Sequence, residues 1–296
     1  MSFKSSKKKR YKKVFEAANV TDFDPAQTFD CGQCFRWEML DADAWEGIAG
    51  CGGEGRKARL AFDAEKGELR VFELLSEDAE HSEDAREGRG RFWRNYLDLD
   101  RDYAGIKSIL SDGDEVMARA ISFGGGIRIL NQDKWETIVS FIISQNNNIP
   151  RIKRCIHSIA ENFGGPEGSL PDVETIAALS AEDLEPCKLG YRAKYLIKAA
   201  AQVKENGLPE HREQLRGLCG VGPKVANCIA LFGLGHVDSF PVDVWMKRAM
   251  NELYGIPEDD VSAMQAYAAE HFAPYGGIAQ QYLFYYITHK YTNDTR

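Results

Sequence analysis

Leu218-Cys219-Gly220-Val221-Gly222-Pro223-Lys224-Val225-Ala226 is followed by Pro241-Val242-Asp243, whose aspartate lies nineteen residues after the lysine. A Gly-Val-Gly turn closed by proline presents a run of backbone N–H groups at a helix start, which suits an anion such as phosphate. Gly220 and Gly222 supply that turn. Pro223 fits the first helical position, where its missing N–H costs nothing. Lys224 then falls in the first turn, at the positive end of the helix dipole, where an ammonium is disfavoured and a neutral, nucleophilic amine is easier to reach. With Asp243 the chain offers a phosphate grip, an amine and a carboxylate, the parts needed to hold a nucleic-acid backbone and attack a sugar carbon. Each part has a bland alternative. Gly-x-Gly turns are common, most lysines are solvated, and an Asp before an apolar run is usually an N-cap. A basic residue in a first turn that favours acidic ones tips the balance toward function.

The 296 residues suffice for one large or two ordinary domains with an ample core. No apolar stretch approaches the roughly 20 residues that span a bilayer. The N-terminus is basic but lacks the apolar run and cleavage site of a signal peptide. Seven cysteines without regular spacing read as reduced thiols in an intracellular protein. Cys31-Gly32-Gln33-Cys34 is a CxxC without the second pair that a zinc site needs. No cysteine follows Cys228, which rules out a C-terminal four-cysteine iron–sulfur cluster, and the six histidines are scattered. No metal or organic cofactor is expected, nor a membrane partner.

A net charge of −8 argues at first against nucleic acid, but its distribution matters more than its sum. Residues 4–13 carry seven Lys/Arg and no acid. Lys188 to Lys224 holds eight Lys/Arg against three Glu, whereas residues 41–126 hold twenty acids against twelve bases. This pattern excludes loose, whole-surface DNA binding and leaves a local basic face.

Short β-prone runs at Phe35-Arg36-Trp37, Trp45 to Ala49, Ala58 to Phe62 and Leu69 to Glu73 are broken by Gly and Asp clusters. Residues 76–90 read as a polar surface loop or insertion, and Gly124-Gly125-Gly126 as a domain boundary. Beyond it the periodicity turns helical: Trp135, Ile138, Val139 and Ile142 mark one helix, Val225, Cys228, Ile229 and Phe232 another. Further stripes begin near Pro150, at Leu196 and at Asp243, and a last one runs from about Gly277 to Lys290. The expected class is α+β: a basic, disordered arm over 1–15, an N-terminal antiparallel β-rich domain over 16–126, and an α-helical domain over 127–296. A helix–hairpin–helix lies at 215–233, and the last helix packs on the N-terminal part.

The hairpin with Pro241-Val242-Asp243 resembles the helix–hairpin–helix DNA glycosylases. Gly32-Gln33-Cys34-Phe35-Arg36-Trp37, Ser144-Gln145-Asn146-Asn147-Asn148-Ile149 and Leu189-Gly190-Tyr191-Arg192-Ala193-Lys194-Tyr195 are similar to the 8-oxoguanine branch of that superfamily. The likeness runs from about residue 20 to 290. It implies a monomeric bifunctional glycosylase/AP lyase acting on damaged double-stranded DNA. Lys224 would attack C1′ of a flipped nucleotide, form a Schiff base and permit β-elimination, with Asp243 stabilising the charge that develops on the sugar.

The resemblance further implies that the Gly32 carbonyl reads N7 of the lesion, that Phe284 and Cys228 sandwich it, and that Gln280 bonds its Watson–Crick edge. Asn146 would fill the vacated stack, Tyr191 would wedge beside it, and Arg151 and Arg192 would bond the estranged cytosine. The bland alternatives are a turn glycine for Gly32, core packing for Cys228, Gln280 and Phe284, and phosphate or solvent contacts for the two arginines. Trp245 departs from the pattern, since better-known members place a phosphate-contacting histidine there. A cation held by carbonyls near Arg216, Leu218 and Val221 is the one candidate inorganic partner. Two other functions fit the hairpin: a same-fold glycosylase for another damaged purine, and a non-catalytic DNA-binding module.

Overall fold

The computed structural model describes residues 9–42, 44–76 and 82–294. Strands β1 (Lys9–Ala17), β2 (Trp37–Asp41), β3 (Ala44–Ala49), β4 (Arg56–Asp63) and β5 (Glu68–Ser76) form one antiparallel sheet in the order β1-β5-β4-β3-β2. A short helix, α1 (Pro25–Phe29), joins β1 to β2. After the sheet come α2 (Glu83–Tyr96), α3 (Tyr103–Ser111), α4 (Glu115–Gly124), α5 (Lys134–Ser144), α6 (Ile149–Phe163) and α7 (Val173–Ala177). The chain closes with α8 (Arg192–Asn206), α9 (Arg212–Leu215), α10 (Pro223–Gly233), α11 (Val244–Tyr254), α12 (Val261–His271) and α13 (Gly276–Asp294). This is the α+β arrangement expected from the two periodicities.

The sheet buries one face because its strands alternate. Ala58, Leu60 and Phe62 of β4 and Leu69 and Val71 of β5 point inward. Against that face lie Phe29 of α1 and Trp93 and Tyr96 of α2. Phe29 stacks on Trp37 with ring centroids 4.4 Å apart, and Trp37 donates its indole N–H to the Tyr96 hydroxyl at 2.9 Å. Gly47, paired with Trp37 across the ladder, makes room for that indole: a Cβ there would sit 2.3 Å from the ring.

Three sequence expectations are corrected. Residues 9–15 of the basic arm are not disordered but belong to β1, which pairs with β5 from Lys9↔Ser76 to Ala17↔Leu69. The unpaired edge of β5 supplies the backbone partners, and the basic run hides an alternation in which Tyr11 reaches Glu46 at 2.6 Å and lies under Arg59. Residues 1–8 of the arm lie outside the described residues. The 76–90 segment is not a loop throughout. Ser82 caps α2, acids occupy its first turn, and Trp93 and Tyr96 anchor it on the sheet. Finally, Gly124-Gly125-Gly126 does not divide the chain. The Gly126 carbonyl accepts from Asp24 N, its N–H donates to Gln27 Oε1, and a Cβ there would lie 2.4 Å from Asp24. Helices α3 and α4, on the N-terminal side of those glycines, share the helical core, and α13 packs on α4 and α11.

Residues 31–37 stitch the two cores together. Cys31 and Phe35 enter the helical core, whereas Cys34 and Trp37 enter the sheet core. Between them Gln33 is fully buried. Its Nε2 donates to the carbonyls of Thr28 and Arg128, both at 2.8 Å, and its Oε1 accepts from Leu130 N at 2.9 Å. Its own carbonyl accepts from Gln132. A second seam joins Arg36 to Glu136 of α5, with the Glu136 carboxylate also accepting from Gly50 N at 2.8 Å. Burial pushes the Glu136 carboxyl up to about 7 against the pull of the Arg36 guanidinium.

Gln33→Leu keeps the volume but leaves Thr28 O, Arg128 O and Leu130 N short of partners. A loss of about 2–4 kcal/mol is expected in urea unfolding at unchanged m-value. Glu87→Gln, in the exposed pair with Arg91 on α2, is expected to move stability by less than about 0.5 kcal/mol. Equal stabilities for the two variants would remove Gln33 from its structural role.

Candidate active site

The predicted helix–hairpin–helix is formed by α9, the turn at residues 216–222 and α10. Gly222 caps α10 with Pro223 in its first turn. Gly220 has φ +82°, and a Cβ there would lie 2.7 Å from the Tyr195 side chain, so both conformation and space demand glycine. Gln202 of α8 clamps the turn, accepting from Cys219 N at 2.7 Å and donating to Gly217 O at 2.9 Å. Among the described residues, no acceptor pairs with the N–H groups of Gly220 or Gly222. The turn therefore presents donors at a helix start, as an anion requires.

In the first turn of α10, Lys224 borders a small pocket of about 40 Å³. The same pocket is lined by Gly32, Cys228, Asp243, Gln280 and Phe284, so it gathers all six residues expected at the lesion and the reacting carbon. Asp243 is also the N-cap of α11: its Oδ1 accepts from Met246 N at 2.9 Å. The bland and the functional readings of this residue therefore hold together. Gly32 has φ +79°, and the Phe284 ring lies over it, 3.4 Å from where a Cβ would be.

The expectation of an easily neutralised amine is corrected. Burial works toward the neutral form of Lys224, but the Cys228 thiol and the Asp243 carboxylate outweigh it and hold the amine above its ordinary pKa. Burial pushes the Cys228 thiol up as well, against the pull of Lys224. The neighbouring Cys228 and Asp243 together thus override the helix-start argument.

The residues expected to face the opposite base assemble separately, where the turn after α5 meets the start of α8. Asn146 adopts a left-handed φ of +50°. Arg192 is buried, donating to Leu189 O at 3.2 Å, to Asn146 O at 2.9 Å, and through Nε to Gln145 O at 2.8 Å. A further N–H of its NH2 contacts Gln145 O. Its guanidinium lies 4.5 Å from the centre of the Tyr191 ring, which is 48% exposed and free to protrude. Arg151 reaches Lys188 O at 3.1 Å. Tyr195, edge-on to Tyr191 and packed beneath Gly220, links this surface to the hairpin.

Cys31, Phe141, Phe232, Pro241 and Gln281 also line the pocket and were not foreseen as site residues. Phe141 stacks on Phe232, and the Lys224 amine lies 5.6 Å from the Phe141 ring centre. Phe232 belongs to a helical stripe that reads as core, while Pro241 was quoted with Asp243 but given no role. Burial pushes the Cys31 thiol up to about 12, so this half of the CxxC is an inert thiol. Trp245, the departure from the histidine pattern, packs near Tyr291, with Arg248 lying over both rings. A larger cleft of about 600 Å³ lies between the sheet and α2, but its Glu73 already accepts from Arg56, Arg89 and Trp93. Among the described residues no group of His, Cys, Asp and Glu is placed to hold a metal, and no helix is long and apolar enough to cross a membrane.

Residues 17–138 match the family model of the 8-oxoguanine DNA glycosylase N-terminal domain. Residues 139–274 match that of the HhH-GPD superfamily of base excision DNA repair proteins. The N-glycosylase/DNA lyase of Saccharomyces cerevisiae is 38% identical over 161 residues, 44% of this chain and 43% of the yeast protein. The chain thus spans less than half the length of that relative. The structure of MBOgg1 with a low-affinity DNA ligand superposes with a TM-score of 0.82 at 35% identity, covering 95% of this chain and 99% of that one. The Clostridium acetobutylicum 8-oxoguanine glycosylase/lyase was solved with double-stranded DNA containing cytosine opposite 8-oxoguanine. It superposes with a TM-score of 0.82 at 34% identity, over 95% of this chain and 98% of its own. With both parts matched in order and the whole fold superposed, the chain belongs to the 8-oxoguanine DNA glycosylase family.

Proposed function

We propose that the protein is a bifunctional DNA N-glycosylase/AP lyase that excises 8-oxoguanine, preferably opposite cytosine. The observation that carries this reading is the meeting of Lys224, Cys228, Asp243, Gly32, Gln280 and Phe284 around one pocket. The damaged nucleotide leaves the stack and enters this pocket. Phe284 packs over Gly32 at the pocket, so the ring moves to admit the base and then stacks on it. Cys228 lies on the other face. The Gly32 carbonyl accepts the hydrogen that 8-oxoguanine carries on N7, where guanine offers only an acceptor.

Lys224 loses a proton and its lone pair attacks C1′. The C1′–N9 bond breaks and the base leaves with its electron pair. Ring opening gives a protonated imine, which acts as the electron sink for β-elimination of the 3′ phosphate. An amine is needed for this second step because water leaves no imine. Asp243 stabilises the positive charge that develops on the sugar and assists proton movement. Gly220 and Gly222 hold a backbone phosphate through their N–H groups.

On the facing strand, Tyr191 wedges, Asn146 fills the gap, and Arg151 and Arg192 bond the orphaned cytosine. A guanidinium has five N–H donors; Arg192 commits four to the carbonyls of Gln145, Asn146 and Leu189, leaving one for the base. These steps draw on side chains, backbone and DNA alone, with the protein acting as a monomer. The carbonyls of Arg216, Leu218 and Val221 are candidate ligands for a cation that would brace the hairpin.

Lys224→Gln is expected to bind an 8-oxoguanine:cytosine duplex but to lose base release and strand scission together. Borohydride should trap the wild type on DNA and not the variant; an adduct in the variant would reassign the nucleophile. Scission of duplexes bearing each of the four opposing bases should be fastest with cytosine, and equal rates would dismiss the roles of Arg151 and Arg192. A lesion panel separates this reading from a glycosylase for another purine, and duplex binding without scission would mark a binding module.

The pH dependence follows from the raised amine pKa. The reactive form is the neutral one, so the single-turnover rate should climb with pH across the neutral and mildly alkaline range. Asp243→Asn keeps an N-cap side chain but removes a negative charge that favours the ammonium. Its rate–pH profile should shift to lower pH while its maximum falls. A profile shifted upward would contradict the assigned electrostatics.

A further inference from the structure

Two adjacent glutamines of α13, Gln280 and Gln281, border the lesion pocket, and each is only 4% exposed. Gln281 donates its Nε2 to Gln280 Oε1 at 2.8 Å, which fixes the Gln280 amide with its oxygen as the bonded acceptor. The other end of Gln281 is different. Its Oε1 is buried and has no hydrogen-bond partner. Such acceptors are rare in folded proteins because they forgo water without compensation. Gln281 is also one of the residues that line the proposed base pocket.

We propose that Gln281 is a second reader of the flipped base, its Oε1 accepting from the exocyclic 2-amino group while Gln280 Oε1 accepts from the ring N1–H. The inference rests on the proposed excision of an oxidised guanine at this pocket. A guanine-derived Watson–Crick edge carries these two donors on neighbouring atoms. Adenine presents an acceptor at N1, and hypoxanthine derivatives have N1–H but no 2-amino group. Two carbonyl oxygens held side by side therefore match the guanine edge and mismatch the others. Discrimination arises because a buried acceptor that already lacks water gains a full bond from the right base and stays unpaired with the wrong one. Gln281 also orients Gln280, so a single side chain both reads the base and positions its neighbour.

The test is single-turnover excision from two duplexes, one with 8-oxoguanine and one with 8-oxohypoxanthine, each opposite cytosine. The second base differs only in lacking the 2-amino group. Wild type is expected to favour 8-oxoguanine by about tenfold or more. Gln281→Leu and Gln281→Met, each checked by thermal melting, should bring the ratio to within about twofold by slowing excision of 8-oxoguanine. Equal wild-type rates on the two bases would overturn the role of Gln281 and leave the glycosylase reading standing. An undiminished preference in a folded variant would do the same. No excision of either base by wild type would overturn the glycosylase reading and this inference with it.

Discussion

The buried amide of Gln33 is the interaction on which the arrangement depends. A primary amide at the meeting of two cores offers donors and an acceptor in one rigid plane, and this one finds carbonyls on both sides and the Leu130 N–H in front. Apolar contacts alone would let the sheet slide over the helices, because they carry little direction. Hydrogen bonds from one buried group to three backbone positions remove that freedom. Gly32 is its covalent neighbour, so locking Gln33 also sets where the Gly32 peptide meets the pocket. The Arg36–Glu136 pair repeats the device a few residues on, and the two seams hold the β-sheet part against α5 and the loop before it.

The pocket applies the same economy. Asp243 caps α11 through one oxygen and still borders Lys224, so the residue that shapes the amine's electrostatics is held by the helix it begins. The amine is neither solvated nor isolated: an aromatic ring, a thiol and a carboxylate surround it, and the carboxylate and thiol prevail over burial. In the proposed reaction, proton release is therefore part of the chemistry rather than a property of the resting protein. The surface proposed to face the opposite strand is built differently, from turns whose carbonyls are drawn onto the Arg192 guanidinium.

Local chemistry made the hairpin legible, because glycine, proline and a misplaced lysine act within a few residues of one another. The helices α5, α6, α8, α10, α11 and α13 were legible from their apolar periods. Strand β1 was not, since seven basic residues in ten look like a solvated run until the β5 edge is there to pair with it. Helix α2 was masked by Gly88 and Gly90, and its anchoring depends on a sheet face contributed by other residues. The triple glycine reads as a domain boundary, whereas Gly126 serves close approach to Asp24. At the candidate site, the sequence named residues that meet around one pocket but not their states: the pKa of Lys224 is raised by Cys228 and by Asp243, which lies nineteen residues away in sequence. Gln281 was overlooked because a glutamine next to Gln280 on an aromatic helix carries no spacing signal.

The raised pKa of Lys224 has a protective consequence as well as a catalytic one. An ammonium has no lone pair, so a smaller neutral fraction slows condensation of the amine with free aldehydes or reducing sugars. The Phe284 ring over Gly32 narrows the approach further. The same amine that would form an imine with a deoxyribose presented at C1′ is thus less open to stray carbonyls in solution than an exposed lysine.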